Sequence, residues 1–211
     1  MEKFHHIHKT GSGRFYPLEI GWIAQDIYKI PLDKNLTENA CRSGCRLYGR
    51  NGGCPPFSPD FKLLRKKFKL ANIIYTKLLI DNYPPKVLAG SYYVRWSFVE
   101  ALLTPFTNRF ATIVNNDKNR LFLSSGFCRG CGNQRCAVKE GSKCRHPLRR
   151  TYSLESTGVI VSEVAEKLLG VKLYWWDKSN IDYFPLYMTK IISILSNQPI
   201  DNSDISAVFK G

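Results

Sequence analysis

Acidic residues are scarce in this chain of 211: 17 Asp and Glu stand against 31 Lys and Arg, a formal net charge of +14. An imbalance of that size predicts an anionic partner before it predicts any fold. Long apolar runs are missing too. The best, from Asn72 to Ile80, is broken by Thr76 and Lys77, far short of the roughly 18 residues that a membrane-crossing helix needs. The opening MEKFHHIHKTGSGR lacks the apolar stretch of a secretory signal. These absences predict a soluble, cytoplasmic protein with no membrane association. No internal repeat and no Ser/Gly/Pro-rich linker is present, so residues 1–211 are expected to form one domain, with 1–14 as a flexible N-terminal segment. Gly11-Ser12-Gly13 lacks the strand–loop–helix setting of a phosphate loop, and nothing resembles a serine nucleophile elbow. Nucleotide cradling by such a loop and serine hydrolysis are set aside.

What the chain does have is cysteine, and all of it sits where the positive charge is. Cys41, Cys45 and Cys54 lie in a segment from Cys41 to Lys69 that carries eight basic residues and one acidic. Cys128, Cys131, Cys136 and Cys144 lie between Lys118 and Arg150, with nine basic and one acidic. The rest of the chain holds 14 basic and 15 acidic residues and is nearly neutral. An odd number of cysteines cannot all pair within one chain, and disulfides do not persist in a reducing cytosol. The thiols therefore read first as metal ligands and second as redox catalysts.

The second group has intervals of 2, 4 and 7 residues, with Gly130, Gly132 and Gly141 supplying the turns that can point four sulfurs at one centre. A four-thiolate zinc site and a cubic iron–sulfur cluster both accept such a set. The neighbouring Arg129, Arg135, Lys143 and Arg145 favour the cube, whose net negative charge is tuned by nearby cations. The first group offers three thiols, which leaves a coordination position open for a water, a substrate atom or sulfide. Alternatively His5, His6, His8, an Asp or a Glu closes the site, or the three cysteines pack in the core. His146 beside Cys144 is a possible donor to a sulfur, Tyr48 a possible hydroxyl for a bound ligand, and one of Trp175 and Trp176 a possible cleft wall.

Elements follow from pattern. Strands are expected near Glu19–Ile23, over Ala71–Asp81, Arg120–Ser124 and Val171–Trp176. Helices are expected over Pro59–Lys69, from Ser91 to Asn115 with a kink or restart at Pro105, and from Ser162 to Gly170. Leu186–Leu195 is apolar without a clean period and fits either state. The alternation predicts an α/β or α+β domain: a mixed sheet with flanking helices, and two cysteine-rich metal loops at element ends.

Cys41-x3-Cys45 with Leu47-Tyr48-Gly49, then Cys54-Pro55-Pro56, Cys128-x2-Cys131 and Cys144-Arg145-His146-Pro147, followed by Ser153-Leu-Glu-Ser156 and Gly158-Val159, resembles a family of predicted metal-binding proteins common in anaerobic archaea and bacteria. The likeness runs from about Gly21 to Ile194 and departs at Lys139-Glu140-Gly141, where relatives tend to carry proline. It implies a cytosolic protein holding an iron–sulfur cluster on the two cysteine motifs, without naming a reaction. The expected function is a 4Fe–4S electron relay or structural centre on the four cysteines, with a second, open cluster on the three. The alternatives are a zinc-stabilised nucleic-acid binder and a non-redox sulfur-transfer enzyme. An acidic redox partner or an anionic small molecule is the expected partner class, because two cubes on seven thiolates would still leave the chain near a net charge of about +11.

Overall fold

The computed structural model describes residues 1–132 and 134–210, with side chains left undescribed at 104–109, 112, 202, 207, 208 and 210. Its framework begins with two strands, β1 (Glu2–Lys9) and β2 (Phe15–Asp26), paired antiparallel from Glu2 opposite Trp22 to Lys9 opposite Phe15. Tyr16, Leu18, Ile20 and Trp22 recur at the two-residue period that sends alternate side chains to one face, and all four are buried. The N-terminal stretch expected to be frayed is thus an edge strand in full register.

Four more strands, β3 (Leu70–Leu79), β4 (Arg120–Ser124), β5 (Tyr152–Ser153) and β6 (Tyr187–Ser196), complete a mixed sheet of spatial order β1-β2-β3-β6-β4-β5. Every pairing is antiparallel except β4 with β5. Strand β6 lies between β3 and β4 and is buried on both faces, which is why Leu186–Leu195 shows no period in sequence.

One face is covered by helix α4 (Tyr92–Asn115) and the C-terminal helix α6 (Asn202–Lys210). Val99, Leu103, Phe110 and Val114 meet Phe122, Ile192 and Ile194 of the sheet there. Burying each such side chain contributes about 1.5–3 kcal/mol, so the helix continues through Pro105 rather than restarting, one lost N–H being outweighed by packing on either side. The other face is covered by short elements: Ile27 and Ile30, α2 (Phe61–Leu64), and residues 154–171 around α5 (Val161–Glu163), which continues as a π-helical turn, Val164–Leu168. The architecture is therefore α+β.

Three further expectations change. The helix over Pro59–Lys69 contracts to α2, capped by Asp60, whose carboxylate accepts the Lys62 N–H at 2.8 Å. Val171–Trp176 is extended but pairs with no strand among the described residues. It is pinned instead through Arg95, which donates to the Ile181 carbonyl at 2.6 Å and lies over the Trp176 ring. Helix α1 (Lys34–Gly44) stands where no element was expected, so Cys41 belongs to a helix and not a loop. A further short helix, α3 (Pro85–Leu88), precedes α4. No described helix is long and apolar enough to cross a membrane.

Candidate metal centre

Helix α1 starts at Asp33, whose carboxylate caps the Leu36 N–H at 2.8 Å. Its position is set by a distant segment: Lys34 donates to the Ser156 carbonyl at 2.6 Å, and the Asp33 N–H to the Gly158 carbonyl at 2.9 Å. Cys41 sits in its last turn and Cys45 is the C-cap, its N–H donating back to the Cys41 carbonyl at 3.0 Å. Residues four apart share a helical face, so both thiols leave α1 on one side. Tight turns then carry the chain to Cys54, with the Gly49 N–H on the Pro55 carbonyl at 2.9 Å. Tyr48 is occupied here: its hydroxyl receives Arg42 and donates to Glu38 at 3.2 Å, so it packs the loop rather than serving a ligand.

The second group hangs between two neighbouring strands. The chain leaves β4 and returns as β5, pairing Leu123 with Tyr152 and Ser124 with Ser153. Asn115 at the end of α4 ties both sides, accepting the Phe122 N–H at 2.9 Å and donating to the Arg150 carbonyl at 3.2 Å. His146 opens the short turn Pro147–Arg149, and its carbonyl accepts the Arg149 N–H at 3.0 Å.

These two groups, remote in sequence, form one packed body. Asn51 donates to the Cys128 carbonyl at 2.8 Å, and Arg150 reaches the carbonyls of Gly52 at 2.8 Å and Phe57 at 3.1 Å. Gly53 has to be glycine: a Cβ there would stand 2.1 Å from the Thr151 carbonyl oxygen and 2.7 Å from the Cys128 Cβ. Backbone N–H groups point at sulfur, from Gly52 to Cys136 at 3.3 Å, and from Thr151 and Gly130 to Cys128 at 3.4 and 3.5 Å.

The thiols also feel one another. Burial, followed by the nearby Cys45, Cys41 and Cys128 and by Glu155, pushes the Cys54 thiol up to about 12. Burial and then Cys45 and Glu155 raise Cys41. Burial raises Cys136 as well, but the N–H groups of Lys139, Gly52 and Val138, helped by Arg150, prevail and lower it. Cys54 is buried yet belongs to neither apolar cluster, which disfavours simple core packing. Crowded thiols that raise one another's pKa gain from a cation that neutralises the thiolates, so the donor chemistry of Cys41, Cys45 and Cys54 fits a metal. Among the described residues, no three His, Cys, Asp or Glu side chains are drawn tightly enough around one point to hold a single ion.

His5, His6 and His8 do not join this body. They lie on β1, the sheet edge opposite β5, with His6 beside Phe209 at 6.3 Å between ring centres. The acid that does join it is Glu155, within the Ser-Leu-Glu-Ser motif noted in sequence but given no role there. Beside Cys41 and Cys45 opens a cavity of about 640 Å³, whose walls include Glu155, Glu100 and Lys190. A contiguous lobe of about 600 Å³ shares both thiols and both carboxylates and reaches Cys54. Trp176 is 5% exposed and joins the core while Trp175 is 64% exposed, yet both line the first lobe, so the expected division between core and cleft is only partial.

No curated protein and no solved structure matches the chain significantly. A family model does, over residues 25–191, a span that includes all seven cysteines and Glu155. The chain belongs to the DUF2284 family of predicted metal-binding proteins.

Proposed function

We propose that this metal-binding chain is an iron–sulfur protein. Cys128, Cys131, Cys136 and Cys144 would hold one 4Fe–4S cluster, and Cys41, Cys45 and Cys54 a second with one iron lacking a protein thiolate. The observation that carries this reading is the packing of both thiol groups into one body, with Cys54 in electrostatic reach of Cys41, Cys45 and Cys128. Amide N–H groups directed at Cys128 and Cys136 support it, because such bonds tune cluster sulfurs. When bound, the clusters would supply one-electron transfer, with the complete site relaying and the open site facing the cavity.

The protein's own residues would do the rest. Arg150 and Asn51 hold the two loops in register. Exposed Arg46, Arg50, Arg129, Arg135, Lys143 and Arg145 surround the loops as a basic rim suited to an acidic redox partner.

Purification without oxygen, followed by metal and sulfide analysis, visible absorption and electron paramagnetic resonance of the reduced protein, tests the reading. The expected result is a brown protein with about four irons per chain from the complete site alone, or about eight with both. A colourless protein with stoichiometric zinc would sink it.

A further inference from the structure

The first lobe of the cavity beside Cys41 and Cys45 carries one more carboxylate than ammonium, unlike the basic rim around it. Its charged lining is two carboxylates, Glu100 and Glu155, against one ammonium from Lys190, and Arg46 in the second lobe brings the count level. Lys190 is 7% exposed and is already ion-paired with Glu100. Burial raises the Glu155 carboxyl above its ordinary range, against its own backbone N–H, the Ser153 hydroxyl and the field of Lys190, so this carboxyl gains from a further cation. No cation among the described residues lies within ion-pair distance of it, and its remaining accessible surface opens on the cavity. Tyr92 and Trp96 of α4 line both lobes, and Trp175 lines the first. Aromatic faces around a carboxylate attract an organic ammonium by cation–π and ionic contacts together, and a desolvated site strengthens both. The volume falls within the range of small-molecule sites, roughly 300–1,000 Å³.

We infer that this cavity binds a compact organic amine, with the apolar body of the ligand against Tyr92, Trp96 and Trp175 and its ammonium on Glu155. The inference goes beyond the iron–sulfur reading: Cys41 and Cys45 share the cavity wall, but the contacts it names are with Glu155, Tyr92, Trp96 and Trp175 alone. It separates two surfaces by purpose: the basic rim meets a macromolecule, and the Glu155 wall of the cavity meets a small cation.

Three molecules of nearly equal size test it: phenethylamine, 2-phenylethanol and 3-phenylpropionate, titrated by calorimetry and saturation-transfer NMR into the metal-loaded full-length protein. The amine should bind at least tenfold tighter than the carboxylate, with the alcohol between. Glu155→Gln should weaken the amine about tenfold and leave the alcohol unchanged. Trp96→Ala, at a partly exposed position, should weaken all three, with gel filtration and thermal melting confirming the fold of each variant. Equal or tighter binding of the carboxylate, failure of all three to bind, or an amine affinity indifferent to Glu155→Gln would overturn the inference. Metal content is measured on the same samples. Loss of metal in Glu155→Gln would make that residue a ligand and overturn the inference, whereas absence of iron from the parent protein would sink the cluster reading and leave the cavity result intact.

Discussion

The backbone N–H of Gly52 donates to the sulfur of Cys136 at 3.3 Å, across 84 positions of sequence. With Asn51 on the Cys128 carbonyl and Arg150 on the Gly52 carbonyl, it makes the two cysteine groups one mechanical unit. Forcing the two loops apart should therefore be felt at both.

Gly53→Ala tests that coupling most directly, because the added methyl would overlap the Thr151 carbonyl and Cys128. The loops must separate, at an expected cost of about 1–3 kcal/mol or somewhat more. Urea unfolding reads the loss of stability, and metal analysis should show depletion at both groups. A variant with parental stability and full metal would show that the loops are not so joined.

Arg150 spans the carbonyls of Gly52 and Phe57 with one planar guanidinium, while its ring neighbour Tyr152 lies 4.8 Å away. Arg150→Ala should destabilise by about 1–3 kcal/mol, since those carbonyls lose a charged donor. Arg150→Lys should recover less than half of the loss, because an ammonium cannot reproduce the forked geometry. Full rescue by lysine in thermal melts would refute the assignment.

Cys54→Ala and Cys136→Ala should separate the two metal groups. The first should remove the metal held by the three-cysteine site and leave the spectrum of the four-cysteine cluster; the second should do the reverse. Iron and sulfide content falling to about half in each would meet the expectation. Complete loss in both, with folding retained by circular dichroism, would point to a single shared centre instead.

Far from the cysteines, Glu19 of β2 accepts the Tyr75 hydroxyl at 2.6 Å and pairs with Lys77 at 2.7 Å. Partial burial opposes ionisation, yet the bonds from Lys77 and Tyr75 prevail and hold the carboxyl below its ordinary 4.5. A carboxyl depressed in the folded state gives up its proton more readily there than in the unfolded chain. Its contribution is thus fully present above the ordinary value and fades as pH falls through the folded one. Glu19→Gln should flatten the acid side of the stability profile, measured as urea midpoints from about pH 7 down to about pH 3. Parallel profiles for the two proteins would exclude a role for this pair.

Gly21 lies beside the same tyrosine, and a Cβ there would stand 2.4 Å from the Tyr75 ring. Gly21→Ala should cost about 1–3 kcal/mol by displacing the ring, and should do so without changing metal content. Metal loss accompanying it would mean that the sheet and the cysteine loops are more tightly coupled than their separation suggests.

Local sequence determined much of this protein. The period of two in Tyr16, Leu18, Ile20 and Trp22 marks β2, the run Arg120–Ser124 is β4 end to end, and the shared location of thiols and positive charge marks the functional region. Alternating burial, apolar content and ligand spacing are local properties, so a linear reading can find them. Helix α1 escaped that reading because its stability comes from elsewhere: its exposed, polar sequence is held by bonds from Asp33 and Lys34 to the Ser156–Gly158 segment. The strand expected at Val171–Trp176 failed for the converse reason: its apolar pattern is local, but instead of pairing with a strand the segment buries Val171 and Trp176 in the two apolar clusters. Tertiary structure alone placed the histidines at the wrong edge of the sheet, set Cys54 among thiols from both groups, and drew Glu155, Glu100 and Lys190 into one cavity. Those relationships depend on which sheet edge each chain segment returns to, and no spacing along the chain encodes that.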